Sequence, residues 1–396
     1  MANVSSSNGL EKRPKLRFPG FDEPWKDVRL SDVTSFRRQR TKSTKNVYVS
    51  TENLLQNFEG IVAYLDKDEV EGIAFMPGDT LLANIRPYLK KAWLASFEGI
   101  CSADVLAFSP EKIRASFLYD IIARDCFIEY VMGGVKGSKM PRGDKAHILE
   151  YEFAIPKKSE QEKISAFLAS IDHRIKKQRE MIDVLKKYKR GLLRDIFSKL
   201  NVRHDKRKLK DVAVLFADGD WIESKDQAPE GIRLVQTGNV GFGVYLDKPQ
   251  NAKYISEATF HRLNCLEIYD GDILISRLPE PAGRACLLPQ STERRITAVD
   301  CTVIRTDKSV IDRTYLLQFL CSDQYLKTVN SLLAGGTRQR ISRKNLEGIE
   351  VPYPSIDQQR YYGSFLCKVD ARISNEENRL NCLSILRSSL LQQLFI

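Results

Sequence analysis

The side chains best placed to do chemistry in this 396-residue chain are basic and amide groups gathered in short polar stretches. The densest is TRQRISRK, residues 337–344, with Arg338, Gln339, Arg340 and Arg343. A second is GGVKGSKMPRGDK, residues 133–145, with Lys136, Ser138, Lys139 and Arg142. Arg86, Lys90 and Lys91 follow the apolar run DTLLANI, and Arg277 and Arg284 follow DILIS. Ser50 and Thr51 end one strand-like run, and Gln236, Thr237 and Asn239 end another. Guanidinium, amide and hydroxyl groups on loops and strand ends are the types that read base edges in a DNA groove. The same groups also contact phosphates without reading sequence, or stand as solvated surface charge. Arg86 and Arg277, taken as equivalent, have holding the fold as their alternative role.

The overall balance agrees with a polyanionic partner. Lys and Arg number 62 against 51 acidic residues, a net charge of +11, and neutralising phosphates releases counterions. Other chemistry finds little support. A P-loop needs G-x4-G-K-S/T, and GGVKGSK has Ser where the second Gly belongs. GNVGFG, residues 238–243, reads as a turn at a strand end rather than a cofactor loop. Four scattered histidines and eight cysteines without a C-x-x-C give no metal-ligand spacing. No catalytic residue, cofactor or metal is expected, and the cysteines are expected to be free, buried thiols of a reducing compartment. No apolar run reaches the roughly 18–20 residues that span a bilayer, and the N-terminus lacks a leader's apolar core. The expected setting is cytoplasmic.

Something must position these groups, and the sequence states it twice. QEKISAFLASIDHRI (161–175) recurs as QRYYGSFLCKVDARI (359–373). Around the first copy, Ile164, Leu168, Ile171, Ile175, Ile182, Leu185, Leu192 and Ile196 alternate in steps that keep one apolar stripe, interrupted by Gln178 and Lys189. The second stripe starts at Tyr362. It continues through Leu366, Val369, Ile373, Leu380, Leu383, Leu390 and Leu394, with Glu376 and Arg387 at the same two breaks. A sustained heptad pattern is a coiled-coil seam. Ser159 and Glu162 read as a capping box opening the first helix after Pro156. The 33-residue seam is about 50 Å long at about 1.5 Å per residue. Matched seams on one chain favour antiparallel pairing; packing of each helix on its own globe, or on another molecule, is the alternative.

The duplication extends into the globular parts. VRLSDV (28–33) echoes RKLKDV (207–212), YVSTENL (48–54) echoes LVQTGNV (234–240), and PGDTLLANIRP (77–87) echoes DGDILISRLPE (270–280). FAIP (153–156) echoes VPYP (351–354). Each globe reads as mixed α/β. An LxxV helical segment leads into short strands such as NVYVS, GIAFM and DVLAF, or RLVQT and TAVDCTVIR. One amphipathic helix follows, ASFLYDIIARDCFIEYVM or DRTYLLQFLCSDQYLKTVNSLL, then the basic loop and a last strand ending in Pro. Two related, divergent modules on a rod suit the local dyads of DNA, each module facing one groove patch across an unread gap.

The chain resembles the specificity (S) subunit of Type I restriction-modification systems. The resemblance is carried by PKLRFPGFDEPW (14–25), the paired GD-x-L strands, the Pro followed by Gln161 or Gln359, and the two helices ending in LLRDIF and LLQQLF. It implies an α/β (α+β) pair of target recognition domains joined by two long antiparallel helices, with an internal pseudo-twofold. The expected division is an extension 1–25, recognition domains 26–156 and 201–354, and spacer helices 157–200 and 355–396. It also implies a non-catalytic DNA-binding subunit that docks two methyltransferase (M) subunits, with restriction (R) subunits in the larger complex and no membrane. An adenine methyltransferase of this kind needs Asn/Asp-Pro-Pro-Tyr/Phe, which NIRPY (84–88) lacks. The outer-face residues Met181 and Tyr188 and the basic runs KKQR (176–179) and KKYKR (186–190) are further candidate contacts. On sequence alone three rivals stay open: a protein-binding scaffold without DNA specificity, an enzyme whose site goes unrecognised, and an RNA binder. Salt-sensitive binding of one DNA sequence, unaided cleavage or methylation, and a sheet of exposed aromatics are what separate them.

Overall fold

The computed structural model describes residues 13–43, 46–62, 65–67, 69–137, 139–335 and 339–396. Ser138 and Arg338 lie outside them. Two units emerge, one of residues up to Gln178 together with Arg379–Ile396, the other of Arg179–Asn378. Each therefore contains one globe, the near end of the helix that follows it, and the far end of the other long helix.

The globe of the first unit is built from three antiparallel or mixed sheets. A two-stranded sheet pairs Lys26–Arg29 with Glu152–Ile155. A four-stranded sheet runs, in spatial order, Thr34–Phe36, Val105–Pro110, Thr80–Ala83, Ala92–Leu94. A five-stranded sheet runs Arg40–Ser43, Val70–Phe75, Gly99–Cys101, Asn46–Val49, Leu65–Lys67. The strand Thr80–Ala83 is buried on both faces, which is why it reads as a continuous apolar run rather than an alternation.

The second unit repeats the plan. Lys206–Lys208 pairs with Glu350–Pro352. The four-stranded sheet is Ala213–Asp218, Cys301–Thr306, Ile273–Ser276, Ala285–Leu287. The five-stranded sheet is Gln227–Ala228, Tyr254–Ile255, Ile232–Val235, Arg295–Thr297, Glu267–Ile268. Both five-stranded sheets hold a single parallel pair, Asn46–Val49 with Gly99–Cys101 and Ile232–Val235 with Arg295–Thr297. Aligned on that pair, four strands correspond and the fifth attaches at opposite edges: Arg40–Ser43 beside Val70–Phe75, but Gln227–Ala228 beside Tyr254–Ile255. Divergence between the globes is concentrated at these edges and in their loops.

Each globe's expected single amphipathic helix is two. Ala115–Ile122 and Asp125–Gly133 are separated by Arg124 in extended conformation. Arg313–Leu320 and Asp323–Ser331 are separated by Ser322, whose side chain caps the second of them at Tyr325 N. A residue that caps a helix start holds its own backbone out of the helix, so the apolar stripe continues while the axis breaks.

The long helices span Lys158–Arg203 and Ile356–Gln393. In the first unit Ile164 and Leu168 share a core with Leu391, Leu394 and Phe395, and with Trp25, Phe117 and Ile121 of the globe. In the second, Leu193, Phe197 and Leu200 share a core with Leu366, Tyr315 and Phe319. Within each unit the helices run antiparallel, and both also pack on the globe. Among the seam residues Ile164, Leu168, Ile171, Ile175, Ile182, Leu366, Ile373 and Leu394 are buried. Leu185, Leu192, Ile196, Val369, Leu380, Leu383 and Leu390 are half-buried. In the last turns of the first helix the buried positions are one residue on, at Leu193 and Phe197, and in the second Leu391 is buried beside half-buried Leu390, while the seam residue Leu394 and Phe395 are both buried just past its end. The strict seven-residue reading misses Leu193, Phe197 and Leu391, because a straight helix drifts about 20° per heptad against it.

The helix starts also depart from expectation. Ser159 lies inside the first helix, and Glu162 pairs with Arg114 at 3.1 Å. Glu160, between them, is buried against Arg17 in a bidentate pair at 2.8 and 2.9 Å. A reciprocal cap does occur at the second helix, where Gln358 N donates to Ser355 Oγ at 3.4 Å and Ser355 N to Gln358 Oε1 at 3.3 Å.

Candidate nucleic-acid interface

The two basic loops are the same device built twice. After the helix Asp125–Gly133 the chain turns through Gly137, with φ of +88°, and closes with paired backbone bonds between Lys136 and Arg142 at 2.9 and 3.0 Å. After Asp323–Ser331 it turns through Gly335, with φ of +108°, and closes with bonds between Ala334 and Arg340 at 3.1 and 2.9 Å. At the base of each, an arginine grips an aspartate in the turn before the central strand: Arg142 with Asp104 at 3.0 Å and Arg340 with Asp300 at 3.3 Å. A short helix follows each loop. Lys145–Leu149 is capped by Asp144, which accepts from Ala146 N and His147 N; Arg343–Glu347 is capped by Ser342. Lys136 also binds Asp144, and that bond, helped by the two backbone donors, lowers the Asp144 carboxyl to about 2.

Lys139 and Gln339 are exposed on these loops. Arg343 is exposed and pairs with Glu347 one turn on, at 3.2 Å. Arg86 is exposed in a left-handed conformation, its backbone N–H bonded to Pro141 O at 2.8 Å, which ties it to the first loop. Lys90 reaches Asp125 at 2.6 Å and Lys91 donates to Thr51 O at 2.7 Å. Arg86, Lys136, Lys139 and Arg142 are thus gathered around one loop of the first unit, and Gln339, Arg340 and Arg343 around one loop of the second.

Other candidates point inward. Arg277 is buried, donating to Val299 O at 2.6 Å and facing Asp218 at 3.3 Å. Its repeat counterpart is Asn84, not Arg86. Asn84 N donates to Asp104 O and Arg277 N to Asp300 O, and Asn84 O and Arg277 O both accept from the residue directly after the loop-closing arginine, from Gly143 N and Ile341 N. Arg284 spends four bonds on the carbonyls of Val240, Thr237, Leu278 and Pro281, at 2.7 to 3.1 Å. Asn239 is buried and caps its own turn, accepting from Gln236 N at 2.9 Å and donating to Leu246 O. Asn53 does the same for Ser50 N at 2.8 Å. Gln236 and Thr237 are half-buried at the edge of that turn. These side chains shape the loops from beneath. The GD turns are equally structural. Gly78 and Gly271 take φ of +91° and +87°, and Asp79 and Asp272 accept from the residue three before and from Arg37 or Arg305.

The signature glutamines fix each long helix to its globe by identical bonds. Gln161 Nε2 donates to Pro156 O and Gln359 Nε2 to Pro354 O, both at 2.9 Å. Arg114 N donates to Gln161 Oε1 and Asp312 N to Gln359 Oε1, both at 2.9 Å. The seam's second polar break is an ion pair across the helices: Arg387 with Asp172 in the first unit, Lys189 with Asp370 in the second. Sequence reasoning passed over Arg38, Arg40 and Lys145, which line a cleft of the first unit; the available signal was the basic run RRQR (37–40) itself. Among the described residues no cluster of three or more His, Cys, Asp or Glu could hold a metal. The eight cysteines are free, and burial pushes the thiols of Cys101 and Cys286 up to about 12.

The model of the Type I restriction modification DNA specificity domain matches twice, over residues 22–187 and 201–384. The chain belongs to this family. A relative in Methanocaldococcus jannaschii, the Type I restriction enzyme MjaVIII specificity subunit, is 22% identical over 382 residues, covering 90% of this chain and 87% of its own. The Type I restriction enzyme EcoDI specificity subunit of Escherichia coli is 21% identical over 168 residues, 40% of this chain and 37% of its own. Two solved structures share the fold. One is a chain of a type I R-M system, with TM-score 0.58 and 18% identity over 96% of this chain and 98% of that one. The other is the Type-I restriction-modification system S subunit from M. genitalium, with TM-score 0.57 and 16% identity over 97% and 99%. The two matched specificity domains each contain one complete globe with its loop, so the internal duplication is a duplication of the DNA specificity domain.

Proposed function

We propose that the chain is the non-catalytic DNA-recognition subunit of a Type I restriction-modification complex in the cytoplasm. Each globe reads one half of a bipartite duplex target, and the long helices set the unread gap between the halves. The observation that carries this is the pair of loops held by Arg142–Asp104 and Arg340–Asp300. The anchoring is the same in both domains, while the residues carried at the tips differ. A repeated frame with changed loops is what reading two different half-sites requires. The base-contact set is drawn from Arg86, Lys136, Lys139 and Arg142 in the first domain and Gln339, Arg340 and Arg343 in the second. Ser138 and Arg338 belong to the same loops by sequence.

Methyl transfer and cleavage would come from two M subunits and from R subunits. A surface for M is available on the long helices. Met181, Val184 and Tyr188 are exposed at helical spacing on the first, and Ile385 and Leu386 on the second. Exposed apolar stripes of this kind mark protein contacts.

The test is to co-express the chain with its genomic M subunit and map N6-methyladenine across the host DNA. Methylation at one split motif with a constant gap is the expected result. A stable complex without a methylated motif, or no complex at all, would overturn the reading.

A further inference from the structure

We propose that a cleft in the first unit seats a phosphodiester group of the DNA backbone, held by Arg38, Arg40 and Lys145. This rests on the DNA-recognition reading above and deepens it, assigning one domain a backbone anchor that the other lacks. The cleft has a volume of about 540 Å³ and is lined by residues of both larger sheets, Phe36 and Ile73 among them, with Ala103 and Ala146 at one side.

Arg38, Arg40 and Lys145 are exposed, and among the described residues none of their side chains has a carboxylate or hydrogen-bond partner. Their neighbours are different. Lys136, Arg142, Lys90 and Lys42 are each matched with an acid, and Arg37 is committed to Asp79 by two bonds at 2.9 and 3.1 Å. Asp144, the acid next to Lys145, is taken by Lys136 and by the helix start. Three uncompensated cations in one concavity leave a positive field with donors and no acceptor. That set suits a phosphate. A base edge, which mixes donors and acceptors, would leave its own donors unmet.

The second unit supplies the contrast. Phe36 opposes Phe108 as Phe216 opposes Ile304, and Phe108 opposes Thr80 as Ile304 opposes Ile273. In that register Arg37-Arg38-Gln39-Arg40 correspond to Ala217-Asp218-Gly219-Asp220. Asp218 accepts from Thr302 Oγ1 and faces Arg277; Asp220 accepts from Leu266 N. Lys145 corresponds to Arg343, which is paired with Glu347. The equivalent place is therefore acidic and internally satisfied. The first cleft also adjoins the recognition loop, since Ala103 precedes Asp104, the anchor of Arg142, and Lys145 follows three residues after Arg142. The anion it fits is thus the backbone beside the bases that loop would meet.

The experiment uses the full chain with its M subunits and a duplex carrying the methylated motif. Binding is measured from about 0.05 to 0.3 M salt for wild type, the triple variant R38A/R40A/K145A, the single variant K145E and a control, K112A, at the far end of the strand Val105–Pro110. At a slope of about 0.9 per phosphate neutralised, losing the one phosphodiester in the cleft should cost the triple variant about one unit of salt dependence and on the order of 10-fold affinity at 0.15 M. K145E should fall in the same direction, K112A should match wild type, and the methylated motif should keep both half-sites. Unchanged affinity and slope in the triple variant and K145E would overturn the cleft assignment and leave the DNA reading intact. A changed first half-site would mean the cleft reads bases instead. Displacement of DNA by millimolar inorganic phosphate, lost in the triple variant, would make it a free-anion site. Wild-type complex that prefers no DNA sequence would sink the recognition reading itself.

Discussion

Arg387 on the second long helix grips Asp172 on the first, and their repeat counterparts Lys189 and Asp370 make the same cross-helix pair with the roles of the helices exchanged. The basic residue that breaks each heptad stripe is thus matched to the aspartate of the other copy. Such a pairing forms only when the two copies run antiparallel, so each bond also fixes register.

Removing one partner should cost more than the pair contributes. Arg387 is largely buried and Asp172 about one-third exposed. Arg387→Met would leave Asp172 unneutralised beside the buried Asp120. A loss of about 1–3 kcal/mol is expected in urea unfolding, below the figure for fully buried pairs because solvent screens Asp172. The double variant Asp172→Asn with Arg387→Met should recover part of that loss; equal losses in single and double variants would argue against a coupled pair.

Asp120 predicts a pH dependence. It is buried beside Ser165, whose Oγ donates to it at 2.6 Å. Burial raises its carboxyl from 3.8 to about 7, against the Ser165 bond and Arg387 and with help from Asp172. A carboxyl whose folded pKa lies above the unfolded value holds its proton longer in the folded state. Stability then falls as pH rises from about 4 to about 7 and is flat beyond. The linked change is on the order of 4 kcal/mol at 1.36 kcal/mol per unit. Asp120→Asn should gain on wild type across that window in urea midpoints at pH 5 and pH 8. A difference between the two proteins that does not move with pH would contradict an ionisable role. The second unit has the neutral Gln318 here, donating to Asp370 at 2.8 Å.

How far the sequence reveals this depends on the range of each interaction. Periodic apolar residues announced both long helices, and the in-register polar breaks announced their kinship, because these are properties of one element. The shift from Leu192 and Ile196 to Leu193 and Phe197 was hidden, since a heptad count ignores the drift of a straight helix. Arg277 and Arg284 looked like surface cations because their acceptors, Val299 O and Val240 O, come from elements 22 and 44 residues away. Arg38 and Arg40 looked ordinary for the complementary reason: their lack of partners becomes visible only once Asp79 and Asp104 are known to be taken. Charge is legible in sequence, whereas its neutralisation is a tertiary fact.

The glutamine clamps should be intolerant of small changes. Gln359 accepts from Asp312 N and donates to Pro354 O. Glutamate at this position keeps the first bond and loses the second, leaving a carboxylate against a buried carbonyl. Gln359→Glu is therefore expected to cost at least as much as Gln359→Ala, about 1–3 kcal/mol. Amide exchange should rise at residues 355–362 before it rises in the strand Ile273–Ser276. An undisturbed exchange pattern in both variants would show that packing alone seats the helix.

Arg284 gives the sharpest separation between a residue that shapes a reading surface and one that reads. Its guanidinium holds Thr237 and Val240 on one side and Leu278 and Pro281 on the other, so four of its five N–H donors are spent on protein carbonyls. Lysine keeps the charge but cannot span four carbonyls with one ammonium. If Arg284 acts on DNA only through these loops, Arg284→Lys should relax the second half-site of the methylated motif while the first stays intact. The salt slope of binding should not change, because no phosphate contact is removed. Loss of one unit of slope with the second half-site unrelaxed would instead mean that the guanidinium leaves its carbonyls and meets the backbone in the complex.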